Sequence, residues 1–146
     1  FKNIGLTEEG NFISREKQEK AIMLLYYLAT GHTYAEDHLL AVPKILCCWP
    51  LDEPLESNPE LNEQEKIEAN DLLIAAIAQW TIIKNTSAEG LREGFLHRRG
   101  KIFLKNDNVY IQVEKSGIDI LLDQLPWNLS IIKLPWIKEL IRVEWR

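Results

Sequence analysis

Histidine and carboxylate side chains crowd most closely at His32, Glu36, Asp37 and His38, where metal binding or proton transfer is the chemistry to weigh. A helical two-histidine site needs i, i+4 spacing so that both imidazoles share a face, and His32 and His38 do not have it. Thr33-Tyr34-Ala35-Glu36 has the form of a capping box, which gives Glu36 a structural task and leaves His32 ahead of the helix. A second carboxylate group, Asp52, Glu53, Glu56 and Glu60, has no apolar wall or charge partner in sequence to tune a pKa for acid–base work, so it reads as a solvated connector. Ser87, Ser116 and Ser130 have no histidine nearby in sequence, and neither a glycine-rich phosphate loop nor a G-x-S-x-G elbow occurs. Cys47 and Cys48 are adjacent, a spacing that suits two unpaired structural thiols better than a bridge. No catalytic, cofactor-binding or metal-ligating residue is therefore expected.

What remains is binding chemistry. Arg92, His97, Arg98, Arg99 and Lys101 form a basic cluster at an expected helix C-terminus. They either complement the helix dipole or dock an acidic partner or phosphate. Five tryptophans stand among 146 residues, and two of them sit in the triplets Leu125-Pro126-Trp127 and Leu134-Pro135-Trp136. Proline fixes its own φ and pushes the preceding leucine out of the helical region, so each triplet should be extended or turned. Each indole brings a large apolar body and one N–H that needs a partner when buried. Tryptophan and arginine are enriched at contact hot spots, which makes Trp127, Trp136, Trp145, Arg98 and Arg99 the candidate partner-binding residues.

The elements that must position these groups change character along the chain. Residues 1–13 read as an irregular lead-in. Ser14 is a plausible N-cap for a helix whose face carries Ala21, Leu24, Leu25 and Leu28 and which Gly31 ends. The Thr33–Glu36 box opens a second helix through Leu39 and Leu40. Pro43 either breaks it or begins a short helix holding Ile45 and Leu46. Asn62 with Glu65 starts the longest helix, from Glu63 to about Ile83, polar at first and then apolar on nearly every face, as though entering the core from solvent. Thr86-Ser87-Ala88-Glu89 caps a further helix ending at Gly100. Beyond it the period falls to two. Ile102 and Leu104 share one strand face, Val109, Ile111 and Val113 the next, and Asn106-Asp107-Asn108 is hairpin chemistry between them. Ile118–Leu122 reads as an apolar turn or short helix, Leu129–Leu134 could be a strand, and Ile141, Val143 and Trp145 alternate with charges in a last one. The expectation is a single α+β domain over 1–146: an N-terminal helical bundle over 1–100, then a small antiparallel sheet over 101–146.

Bulk properties agree with that class. Hydrophobic residues make up 46% and charged residues 27%, ordinary for a globular domain. No apolar run reaches the ~18–20 residues a membrane helix needs. A net charge of −5 argues against broad nucleic-acid or anionic-membrane binding. A chain that starts at Phe1 with no charged-then-apolar leader reads as part of a longer polypeptide.

Several segments, taken in order, resemble the contractile injection system tape measure family of bacterial phage-tail-like particles. They are Lys20–Gly31, Lys44–Cys47, Pro50–Pro54, Lys84–Leu96, Arg99–Lys101, the twin Leu-Pro-Trp stretch and the terminal Val143–Trp145. Pro43 stands where a polar residue is usual in that pattern, and Ile137 where methionine is. The resemblance implies a non-enzymatic structural component, assembled in the cytoplasm and carried in a particle that can be released. It implies the C-terminal anchoring region of a longer chain that sets inner-tube length and holds an end of the tube, whether baseplate and spike hub or cap. Inner-tube, baseplate or cap proteins would be its partners, several copies would surround the tube axis, and no cofactor, nucleic acid or membrane would be involved. The other readings are a ligand-binding or enzymatic domain built on the tryptophans and the His32–His38 region, or a stand-alone protein–protein adaptor.

Overall fold

The computed structural model describes residues 1–57, 59–83, 85–106, 108–125 and 129–145, with side chains at all of these but 81, 123 and 124. Trp127 therefore lies outside the described residues. The first thirteen residues are more ordered than an irregular lead-in. A short 3-10 turn, Lys2–Ile4, precedes an antiparallel pair, β1 (Thr7–Glu8) and β2 (Asn11–Phe12). Glu9 and Gly10 turn the chain with φ of 51° and 80°, and a Cβ on Gly10 would come within 2.9 Å of the Pro135 Cβ. Glycine is needed here both for the left-handed backbone and for that close approach.

Helix α1 (Arg15–Thr30) begins and ends where its caps dictate. The Ser14 hydroxyl accepts the Lys17 N–H at 3.1 Å, and Gly31, at φ 77°, donates its N–H to the Tyr27 carbonyl at 2.7 Å. Ala21, Ile22, Met23 and Leu24 are buried with Leu6, Leu40, Cys47, Trp49 and Ala69 in the first apolar cluster. The Thr33–Glu36 capping box does not form. Residues 32–36 are irregular, and helical structure starts one residue later as a 3-10 turn, Asp37–Leu40, without a side-chain cap. It runs on into α2 (Ala41–Leu46), where Pro43 occupies the first turn and so withholds no helical hydrogen bond.

The acidic connector is exposed but firmly attached. Glu19, only 3% exposed, accepts the backbone N–H of Glu56 and of Ser57 together with the Ser57 hydroxyl. Arg15 pairs with Glu53 at 2.9 Å and Glu56 at 3.1 Å while its guanidinium lies 4.1 Å above the Trp49 ring. Two helix-α1 side chains thus hold a segment that local sequence reads as free.

Helix α3 (Glu63–Gln79) starts on the Asn62–Glu65 capping box, both bonds at 2.8 Å, and Glu65 also meets Lys20 at 3.1 Å. It stops at Gln79; a separate 3-10 turn follows over Thr81–Ile83. Its apolar second half does not plunge into the core. Leu73 and Ile77 are buried, but Leu72 is 59% and Ile74 57% exposed. Packing therefore takes one stripe of this helix and leaves an apolar one outside. Leu73, Ile77, Trp80, Ile83 and Leu91 make the second cluster, with Trp80 and Phe95 in contact at 4.6 Å between centroids.

Ser87, not Thr86, caps α4 (Ala88–Leu91), accepting the Gly90 N–H at 3.1 Å. The helix widens to a π turn over Arg92–Leu96, closed by His97 N–H to the Arg92 carbonyl at 2.8 Å. Gly100 does not end it. That glycine opens β3 (Gly100–Lys105), where a Cβ would lie 2.3 Å from the Gln112 carbonyl oxygen. Strand β4 (Asn108–Val113) pairs with β3 through a turn that puts Asn106 at φ 53°.

The sheet is mixed, not antiparallel throughout as expected: its order is β3-β4-β6-β5, with β5 at Ile131–Ile132 and β6 at Ile141–Trp145. Strand β6 runs parallel to β4 (Ile111 opposite Val143), and β5 closes the other edge antiparallel to β6. A parallel pair requires a long crossover, which the connection between β4 and β6 supplies. It begins with a 3-10 helix over Gly117–Gln124 on a Ser116–Asp119 capping box. Ile111, Ile141 and Ile45 of α2 form the third cluster, so the sheet packs its inner face on the short helix. The architecture is α+β, as its two periodicities imply.

Candidate functional site

The second Leu-Pro-Trp triplet is a tight turn: Ile137 N–H meets the Leu134 carbonyl at 3.1 Å. That turn aims Trp136 inward. Its ring contacts Phe12 at 4.9 Å and Phe1 at 5.6 Å, and its Nε1–H donates to the Leu46 carbonyl at 2.7 Å. Leu46 is the last residue of α2, whose terminal carbonyls have no partner inside the helix. One indole therefore caps a helix, seats the N-terminal hairpin and braces the crossover. Trp145, at the end of β6, donates to the Leu129 carbonyl at 3.1 Å. Trp49 and Trp80 do the same with the Glu53 and Leu121 carbonyls, at 2.9 and 3.0 Å. Each described tryptophan spends its N–H on this chain's own backbone. Trp136 and Trp145 nevertheless stay half-buried, with part of each ring at the surface.

The basic pair divides. Arg98 turns inward onto Asp119, with side chains 12% and 8% exposed, and also reaches the Gly94 carbonyl at 3.1 Å, a terminal carbonyl of the π turn. The Arg98 guanidinium holds the Asp119 carboxyl below the usual carboxylate range, while burial opposes it. Arg99, the next residue, is exposed. Alternation at the lead into β3 separates a structural cation from one open to a partner.

Sequence reading missed the organising role of Arg92. It is buried; Nε donates to the Leu28 carbonyl at 3.0 Å and one terminal nitrogen to Asn70 Oδ1 at 2.8 Å, while Asn70 donates to the Tyr27 hydroxyl at 3.0 Å. It joins α1, α3 and α4 at once, and only a tertiary contact could have revealed that. Lys44 was missed likewise: 1% exposed, it pairs with Asp37 at 2.7 Å.

The His32–His38 region is not gathered into a site. Asp37 is taken by Lys44, His38 Nδ1 lies 3.4 Å from Glu36, and His32 faces elsewhere, lining a cleft of about 310 Å³ with Glu89, Arg92, Glu93 and His97. Among the described residues no three His, Cys, Asp or Glu side chains are arranged to hold a metal ion. A larger hollow of about 550 Å³ opens between Tyr34, Leu40, Leu55 and Leu61. Cys47 is buried, which pushes its thiol up, and Cys48 is exposed; both are free. No helix among the described residues is long and apolar enough to cross a membrane.

Capped helices, indoles bonded to carbonyls and ion pairs turned inward define an α+β domain whose polar side chains serve mainly its own scaffold. The chain belongs to the contractile injection system tape measure protein family, whose model matches residues 1–145. Membership makes it a tape measure protein of a phage-tail-like particle, associated with the components of the tube. No curated protein and no solved structure matches it.

Proposed function

We propose that this domain is the anchor of the tape measure: a single folded, non-enzymatic unit at the C-terminal end of a longer chain. It holds that chain to one end of the inner tube, baseplate and spike hub or cap, while the extended remainder sets tube length. The observation that carries the reading is the family match over nearly every residue of the fold, 1–145. A ruler needs an origin that does not yield, and a scaffold cross-braced by Arg92, Glu19 and Trp136 suits that role. Partner contact runs through the outer ring surfaces of Trp136 and Trp145, through Trp127, and through Arg99. Several copies stand around the tube axis, since closed symmetry is common in such assemblies. The particle is built in the cytoplasm and carries this chain with it on release; nucleic acid, membrane and cofactor play no part.

Replacing Trp127 and Trp136 together by Ala tests the assignment. Folded double-variant protein should yield particles that are missing or irregular in length under the electron microscope. Uniform particles of normal length from that variant would remove the anchoring role.

A further inference from the structure

Two surfaces of this chain are apolar at their centres and opposite in charge. The first is the outward stripe of α3, where Ile67, Asp71, Ile74 and Ala78 follow 4-3-4 spacing and so form one row along the helix. Ile67 and Ile74 are half exposed or more. Asp71 stands within the row and Glu68 beside it, and the only cation of the helix, Lys66, already meets Glu63. The second surface is the outer face of the four-stranded sheet. Register places Phe103, Tyr110, Arg142 and Ile131 in one line across all four strands, and the two rings stack at 5.3 Å and 6°. Phe103 and Ile131 are each more than a third exposed. Lys101 and Lys105 share this face by strand alternation, and Glu144 is the one carboxylate among its outward positions.

We infer that a second copy of this chain covers the sheet face, with the α3 stripe of one copy laid across the Phe103–Tyr110–Arg142–Ile131 line of the next. A helix on a sheet is the ordinary way to bury an apolar stripe. Charge chooses among the possible pairings. Helix against helix would bring Asp71 and Glu68 toward their own copies, and sheet against sheet would do the same to Lys101, Lys105 and Arg142; both set like charges together. Only the unlike contact joins acid to base around an apolar centre. Such a contact is head-to-tail, so each copy keeps one free surface of each kind, and the series ends by closing into a ring. The inference deepens the reading of several copies around a tube axis by naming the faces that join them.

Sedimentation velocity on the purified protein tests it, without any particle. The wild-type chain should sediment above its monomer mass of 17.0 kDa, more so at low salt. Ile74→Arg removes the helix surface and Arg142→Glu the sheet surface, and each alone should give monomer. Mixed together, the two variants retain one compatible pair of surfaces and should form a two-chain species and nothing larger. Asp71→Lys, a second exposed change on the helix, should repeat the Ile74→Arg result, and circular dichroism checks that each variant is folded. A wild-type chain that stays monomeric at every concentration, variants that associate like wild type, or a mixture that remains monomeric would each overturn the inference. Monomeric wild-type protein would leave the anchoring reading intact, whereas normal particles from the Trp127/Trp136 variant would overturn that reading and leave this contact standing.

Discussion

At the scale of single residues, the ion pair between Arg98 and Asp119 is the most exposed to test, because both partners are turned inward. Truncating Arg98 to Ala removes the charge-assisted bonds to Asp119, and losing such a partner costs about 1–3 kcal/mol. Urea unfolding midpoints should fall accordingly. Asp119 also titrates below its ordinary range, so its contribution is full above the unfolded-state pKa of about 3.9 and disappears as pH drops through the lower folded value. In the Asp119→Asn variant, stability should depend less on pH in that acid window than in the wild type. The cysteines offer a second residue-scale test. With Cys47 buried, its thiol pushed up, and Cys48 exposed, a thiol reagent should modify one site quickly in native protein and the second only on unfolding. Cys48→Ser should abolish the fast phase. Neither the ion pair nor the difference between adjacent thiols was legible in sequence. Arg98 and Asp119 are 21 positions apart, and a residue number says nothing about which side of a turn is covered.

Elements were read best where their punctuation is local. Ser14, Gly31 and the Asn62–Glu65 box set the bounds of α1 and the start of α3 through bonds spanning three or four residues, which spacing alone can reveal. The Thr33–Glu36 box has the same spelling but does not form; Asp37 there answers to the buried Lys44 instead. Gly100 misled for a related reason: it looked like a helix stop, but what it serves is the Gln112 carbonyl across the hairpin. Gly100→Ala should therefore cost about 1–3 kcal/mol through overpacking against backbone. Gly117→Ala, where an added Cβ meets nothing within 4 Å, should be close to neutral, and the two thermal midpoints check the contrast. The parallel β4–β6 pair lay beyond sequence reading because a hairpin announces itself through its turn, while a crossover strand is chosen by packing on Ile45 and Ile111.

Across the whole molecule, three apolar clusters are tied by a few shared residues. Leu28 packs against the first and the second, and Ile45 carries α2 into the third. Glu19 does for the connector what these residues do for the core. Replacing it by Ala removes the acceptor for two backbone N–H groups and the Ser57 hydroxyl, so limited proteolysis should nick the chain between α2 and α3 where the wild type resists. An unchanged digestion pattern would mean that Arg15 and the Trp49 bond to the Glu53 carbonyl hold that segment without it. The α+β class could be read from sequence, because periodicity suffices for it. The role of Arg92 and the outward apolar stripe of α3 could not, since both depend on which faces the other elements happen to cover.

The aromatic trio of Phe1, Phe12 and Trp136 also orders events in time. On the ribosome the first hairpin is made early, yet the indole that completes its seat is more than a hundred codons away. Until Trp136 emerges, the two phenylalanines meet only each other and the first apolar cluster and lack their indole cover. Closure of this fold thus waits until its last-made segment reaches back to its first hairpin.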